Sequence, residues 1–273
     1  MFDYHVGQSL VHRMNPLIKL ACAAPLILAA TLSLAVIPSA VFAIATFAIA
    51  FWPAQLPVRR FVRTLLPYLV LAVGFFWFYA IATGKPDELT LLQIGPLRVT
   101  PISLNNAIAI ALRVVTIMSL TVTFLMTTTP NDFIMSLIHQ VHVDQRIAFG
   151  MFAAIRFMPI AETELIKIRQ AHRIRGVGER AGIRGAFRRF RRYAIPLFSS
   201  VIRMAQRTAL AMDLKAFAVY PDRTYLRRTY VTRVDIAAFA IVLGFVVVAS
   251  VLMLATGSWT GFSFSNLQGQ PGR

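Results

Sequence analysis

The stretch Leu17–Trp52, LIKLACAAPLILAATLSLAVIPSAVFAIATFAIAFW, runs for 36 residues with Lys19 as its one charge. As a single helix it would be about 54 Å long, against a hydrocarbon core of about 30 Å. Pro38 falls near its middle, so two membrane spans joined by a tight turn are expected. Three further runs read as spans: Leu65–Ala82, rich in aromatics from Phe75 to Tyr79, then Ile102–Met126 and Ile236–Thr256. Ile147–Ile160 is also apolar, but it is short and carries Arg156. It reads as a helix against the bilayer surface or inside the protein rather than as a span. The expectation is an all-α, polytopic membrane protein with about five transmembrane helices.

Composition agrees. A mean hydropathy of +0.65 with 14% charged residues excludes an ordinary soluble domain and a disordered chain. The net charge of +17 would suit nucleic acid. In a membrane protein, however, Lys and Arg gather in cytoplasmic segments and beside anionic lipid, and that reading is preferred. Arg13, Lys19 and Pro38-Ser39-Ala40 mimic a secretory signal. The apolar run continues past them to Trp52, so a retained helix is expected. The single cysteine, Cys22, excludes a disulfide framework and a Cys-based metal site.

Charge divides the chain. Residues 128–232 hold 18 of the 28 Lys and Arg residues and 7 of the 11 acids. Arg59, Arg60 and Arg63 lie between the second and third spans, whereas the loop 83–101 has only Lys85 and Arg98, offset by Asp87 and Glu88. Positive charge on the cytoplasmic side gives one topology. Residues 1–16 form a cytoplasmic lead, 17–127 four spans, 128–232 a cytoplasmic region, 233–257 the fifth span and 258–273 a loose external tail.

Two amphipathic helices are expected in the basic region. From Met158 to Arg175, Met158, Ala161, Leu165 and Ile168 form one stripe, with Glu162, Lys167, Arg169 and Arg173 off it. Gly176 follows where a left-handed glycine ends a helix. The second helix opens near Pro196 and places Leu197, Val201, Met204 and Thr208 on one face, away from Arg203 and Arg207. It ends around Asp213-Leu214-Lys215-Ala216. Each helix therefore finishes on a cation, favourable with the helix dipole. Such ends can project toward a partner's carboxylates or lie as solvated faces on lipid, and the pattern admits both. The linker Val177–Ala194, with Arg180, Arg184, Arg188, Arg189, Arg191 and Arg192 among Phe187, Phe190 and Tyr193, reads as an anionic-lipid segment. Inside the fourth span, Arg113 follows Asn105 and Asn106. An intramembrane charge marks either a partner contact or a pairing with backbone carbonyls.

Three stretches together resemble the transmembrane T component of energy-coupling-factor transporters, the family that includes cobalt-transport permease subunits. These are Gly7–Leu20, with its Ser-Leu-Val-His-Arg-Met-Asn-Pro and Lys-Leu; Arg156-Phe157-Met158-Pro159 with Gln170–Gly176; and Pro196-Leu197 with Ala209–Phe217. The resemblance implies that Arg173, Arg175 and Gly176, and Asp213, Lys215 and Ala216, meet ATPase subunits, supported by Arg156, Pro159, Arg203 and Arg207. Ile174 replaces the first Ala of one Ala-Arg-Gly signature, and Leu214-Lys215-Ala216 replace all of the other. It further implies two cytoplasmic ATPases, one small substrate-binding S component, and no cofactor in this chain, with ATP and magnesium held by the ATPases. The sequence has no Walker A loop of its own.

Two other functions fit parts of the pattern. A conventional importer permease would need polar groups lining a pathway, and the spans offer chiefly Asn105, Asn106 and Arg113. A membrane enzyme or metal protein could use His139 and His142 with Asp132 or Asp144, though such His pairs are usually structural.

Overall fold

The computed structural model describes residues 9–33, 35–82, 92–94, 97–176, 182–217 and 229–256. They form two compact units, one comprising Met1–Phe133 with Tyr230–Arg273 and the other Ile134–Thr229. The helical expectation holds, with one addition: a small antiparallel hairpin, β1 (Leu92–Ile94) on β2 (Leu97–Val99). The tail 258–273 lies outside the described residues.

The first unit is a helical bundle. It begins with a short α1 (Leu10–Arg13) capped by the Ser9 hydroxyl, then α2 (Pro16–Leu32) and α3 (Val36–Phe51). The long apolar run therefore breaks at Ser33–Ala35. Pro38 sits in the first turn of α3, where its missing N–H leaves no helical bond unmade. α4 (Val58–Ala82) starts seven residues before the expected span, so Arg59, Arg60 and Arg63 lie on its first turns rather than in a connecting loop. α5 (Pro101–Thr127) and α9 (Arg233–Ala255) match their expected spans closely.

Both of these helices start on the same device. The Thr100 hydroxyl accepts from Ser103 N–H while the Ser103 hydroxyl accepts from Thr100 N–H, and Thr232 and Asp235 repeat the arrangement at α9. Reciprocal caps satisfy orphan donors that the membrane interior would leave dry. Hydroxyls farther along α5 bond back to the preceding turn, Thr116 to the Leu112 carbonyl and Thr123 to that of Ser119.

α4, α5 and α9 are long and apolar enough to cross a membrane. α2 and α3 are shorter apolar helices of 17 and 16 residues. α5 is the bundle's spine, packing on α2, α3 and α4, while α9 packs on α2. One core cluster gathers Phe61, Leu65, Val122 and Met126, with Phe51 edge-on to Phe61 at 5.3 Å. A second brings Leu26, Ala29, Ala30 and Phe42 against Leu120, Val246 and Ala249. Alanines at these crossings let backbones approach, the usual basis of helix association in lipid. The outward faces stay apolar: Val70, Val73, Trp77 and Phe78 on α4 and Ile241, Val248 and Val251 on α9 are all exposed. This is a surface suited to hydrocarbon.

The second unit holds most of the basic region. α6 (Pro130–Ser136), which straddles the boundary, is capped by the Thr129 hydroxyl, which accepts from Asp132 N–H and donates to the Asp132 carboxylate. A π turn, Leu137–Val141, follows and ends at His142 with φ 57°. Two long helices then fill the unit, α7 (Gln145–Ile174) and α8 (Ile183–Leu214).

In this unit the helices depart from their expected bounds and faces at three places. α7 opens at Gln145, N-capped by the Asp144 carboxylate, so Ile147–Ile160 is simply its first half. Met158 is exposed and does not belong to the inward stripe, whereas Ala161, Leu165 and Ile168 are half-buried as expected. α8 opens at Ile183, not near Pro196, which lies well inside it. Most of the supposed linker is therefore helix. Pro196 removes only the bond to the Arg192 carbonyl, and α7 packing supports the helix across the gap.

Candidate coupling site

α7 and α8 are antiparallel, and their register can be read from side chains. Phe149 meets Phe217 with centroids 4.5 Å apart, the Ser200 hydroxyl donates to Glu164 at 3.1 Å, and His172 lies 5.6 Å from Tyr193. The two numbers in each pair add to nearly the same value, as a continuous antiparallel hairpin requires. Arg169 rests over the Tyr193 ring at 5.9 Å, a cation–π contact. Half-buried Leu197, Val201, Met204 and Thr208 form α8's inward face, as their spacing predicted.

The two motif ends close in the same way. At α7, Arg175 is the C-cap and Gly176 follows at φ 65°, its N–H donating to the Arg173 carbonyl. At α8, Lys215 is the C-cap and Ala216 follows at φ 52°. Ala216 N–H donates to Asp213 and Phe217 N–H to Met212, the paired bonds of a Schellman end. A left-handed alanine costs about 1 kcal/mol or more, because its Cβ crowds the following carbonyl. Ala216 thus holds a left-handed turn under strain that a glycine there would not carry. Arg175 and Lys215 are both exposed at their helix ends.

The hairpin holds these ends apart. Phe217 lies against Phe149, so Lys215 lies beside the start of α7 while Arg175 ends it. With about 25 residues of helix between them, the two cations stand roughly 35–40 Å apart. Near the Lys215 end, an open groove of about 490 Å³ is lined by Arg146, Phe149, Phe157, Met212 and Asp213. The supporting residues Arg156, Pro159, Arg203 and Arg207 are exposed along the hairpin, with Arg203 donating to the Ser199 hydroxyl.

The intramembrane candidates lie elsewhere, in the first unit. Arg113 donates through Nε to the Ala30 carbonyl at 3.0 Å and through Nη2 to the Ser33 carbonyl. Of the two readings of this charge, the structure shows the backbone one. Asn105 is exposed and Asn106 half-buried on α5's first turns. Lys19, which in the sequence belongs to a signal-like lead and to the family-like Lys-Leu opening, is buried. Its ammonium donates to the Thr127 carbonyl at 2.8 Å and the Thr128 hydroxyl at 3.3 Å. Among the described residues no three His, Cys, Asp or Glu side chains come together to hold a metal. The Asp144 carboxylate caps α7, and that of Asp132 accepts from the Thr129 hydroxyl that caps α6.

A helical membrane bundle with a hairpin of basic helices, each ending on a left-handed residue, defines a class of transport subunit, and sequence relationships narrow it. The profile of the cobalt transport protein family matches residues 7–226. The chain belongs to that family, as a transmembrane T component of the energy-coupling-factor type. It is 29% identical over 240 residues to an energy-coupling factor transporter transmembrane protein of Exiguobacterium sibiricum, covering 84% of this chain and 89% of that protein. It is 29% identical over 177 residues to the protein of the same name in Leuconostoc gelidum subsp. gasicomitatum, covering 61% and 65%. An ABC transporter ATP-binding protein of Bifidobacterium longum is 27% identical over 212 residues, 74% of this chain but 26% of that longer protein.

Proposed function

We propose that the chain is the coupling subunit of an ATP-driven importer for a vitamin or a transition metal ion. It lies in the cytoplasmic membrane, with its N-terminus and the α7–α8 hairpin on the cytoplasmic side. Arg175 with Arg173 and Gly176 docks on one ATPase, and Lys215 with Asp213 and Ala216 docks on a second. ATP and magnesium belong to those ATPases. When they close, the hairpin moves as a rigid body and tilts a small S component that carries the substrate.

The observation that supports this most is the pair of matching C-caps, each presenting one cation, held some tens of ångströms apart by a continuous hairpin. One ATPase could not readily occupy both. The inward stripes of α7 and α8 are consumed by each other, so contact with the S component falls to the apolar side chains left exposed on the spans and on α8. The Bifidobacterium longum relative, whose name is that of an ATP-binding protein, is consistent with ATPases as partners.

The test is Arg175→Glu in the assembled transporter. ATP-dependent uptake is expected to be lost while the chain still inserts and the bundle remains folded. Normal uptake would remove this contact from the mechanism.

A further inference from the structure

The chain passes between its two units at Phe133–Ile134 and at Thr229–Tyr230. Any force that the hairpin sends to the spans through the covalent chain goes by these two passages. Within the first unit, one side chain serves the roots of both. The Lys19 ammonium donates to the Thr127 carbonyl at 2.8 Å and the Thr128 hydroxyl at 3.3 Å, on the turn from α5 into α6. Asp132, on α6 just before the first passage, and Asp235, on α9 shortly after the second, are both within electrostatic reach of it.

Both carboxylates are themselves held. Asp132 accepts from the Thr129 hydroxyl at 2.6 Å, and buried Asp235 accepts from Thr232 N–H at 2.9 Å. A buried ammonium is costly, and it persists where fixed acceptors and opposite charges surround it. Drawing α6 or α9 away from α2 would leave this charge short of partners. Lys19 therefore resists separation of the two roots, and a displacement at one is shared with the other and with α2. Arg113 offers a comparison. It clamps the other end of α2 through the Ala30 and Ser33 carbonyls, well removed along α5 from either passage.

We infer that Lys19 is the positioning residue through which movement of the hairpin reaches the spans, by holding the roots of α6 and α9 together on α2. This rests on the chain being a coupling subunit driven by ATPases.

The test reads span movement directly and needs no knowledge of the substrate. In a Cys22→Ser background, spin labels are placed at Val70→Cys on α4 and Val248→Cys on α9, both exposed positions. α9 is tied to Lys19 through Asp235, whereas α4 is not. The labelled chain is purified with its ATPases in lipid nanodiscs, and the label separation is measured by pulsed dipolar spectroscopy with and without ATP and vanadate. Trapping is expected to change the separation by about 2 Å. Lys19→Met should abolish the change while the ATPases stay bound. Lys19→Arg, which keeps a cation with several donors, should restore it, and Arg113→Met, which removes a comparable clamp, should retain it. The double variant Asp132→Asn/Asp235→Asn leaves each cap an acceptor and removes both charges. It should lose at least half of the change, and it carries the test if Lys19→Met does not fold. No change in the unaltered transporter, a full response in Lys19→Met or in the double variant, or an equal loss in Arg113→Met would each overturn the inference. Absence of ATPases from the purified complex would overturn the coupling reading first, and this inference with it.

Discussion

Lys19 and Arg113 lie on antiparallel helices and cap each other's helix: Lys19 of α2 donates to the last carbonyl of α5, and Arg113 of α5 donates to the closing carbonyls of α2. About 14 residues, or some 20 Å of helix, separate the two clamps along α5. Helix C-termini leave four carbonyls without donors and carry the negative end of the dipole. In a membrane, a cation from the neighbouring helix is an effective way to satisfy them. Burying the Lys19 ammonium is costly, and Asp132 and Asp235, within electrostatic reach, offset only part of that cost.

Removing either clamp should destabilise the bundle. Lys19→Met and Arg113→Met each lose charge-assisted hydrogen bonds, at about 2 kcal/mol apiece. The two clamps are too far apart to share partners, so the double variant should be near-additive. Thermal unfolding of the purified chain in detergent checks this. A single variant as stable as the unaltered chain would show that clamp to be idle, and a double variant no worse than either single would show the two to act as one.

The left-handed caps give predictions of opposite sign. A Cβ at Gly176 would meet nothing within 4 Å, so Gly176→Ala tests backbone strain alone. It should cost about 1 kcal/mol, whereas Ala216→Gly should relieve a similar strain, less the entropy glycine adds to the unfolded chain. Amide hydrogen exchange at the last turns of α7 and α8 should accelerate in the first variant and slow in the second.

The same positions show what the sequence can and cannot reveal. Spans are legible because apolar length is a local property, and α5 and α9 fall within a few residues of expectation. The ends of α7 and α8 are legible because cap chemistry is local too. What escapes depends on partners distant in the chain. Lys19 finds its acceptors more than a hundred residues away, and nothing near it distinguishes a buried clamp from the basic residue of a signal-like lead. The start of α8 is hidden because Pro196 reads locally as a helix start. The Phe and Arg residues before it read as a lipid-facing linker, although they share one helix with the residues beyond Pro196. Met158 fits the stripe by spacing because intervals of three and four admit two neighbouring faces, and only the packing against α8 selects between them.

The hairpin's register is open to measurement at its end. Phe149 and Phe217 meet edge to face beside the Lys215 cap, so each should support the other. Phe149→Ala and Phe217→Ala in a double-mutant cycle should give a coupling energy of about 1 kcal/mol. A coupling near zero would mean that α8's last turn is held by its Schellman bonds alone, and the two cations would not be held at a fixed spacing.

The strongest prediction about function concerns the unequal cations. Arg175 offers a planar fork that can hold a carboxylate with two bonds, while Lys215 offers a point charge on a flexible stem. If both dock on ATPases, the Lys215 end is the weaker handle, and Ala216 adds strain to it. Lys215→Arg should therefore tighten ATPase association several-fold, with Lys215→Arg/Ala216→Gly at least as tight. Arg175→Lys should loosen it by a comparable factor. Pull-down of the ATPases across a salt series reads this directly, because exposed ion pairs weaken as screening rises. Equal affinities for all four proteins at low salt would mean that neither cation touches a carboxylate, and the coupling role would have to pass to the groove lined by Arg146 and Asp213.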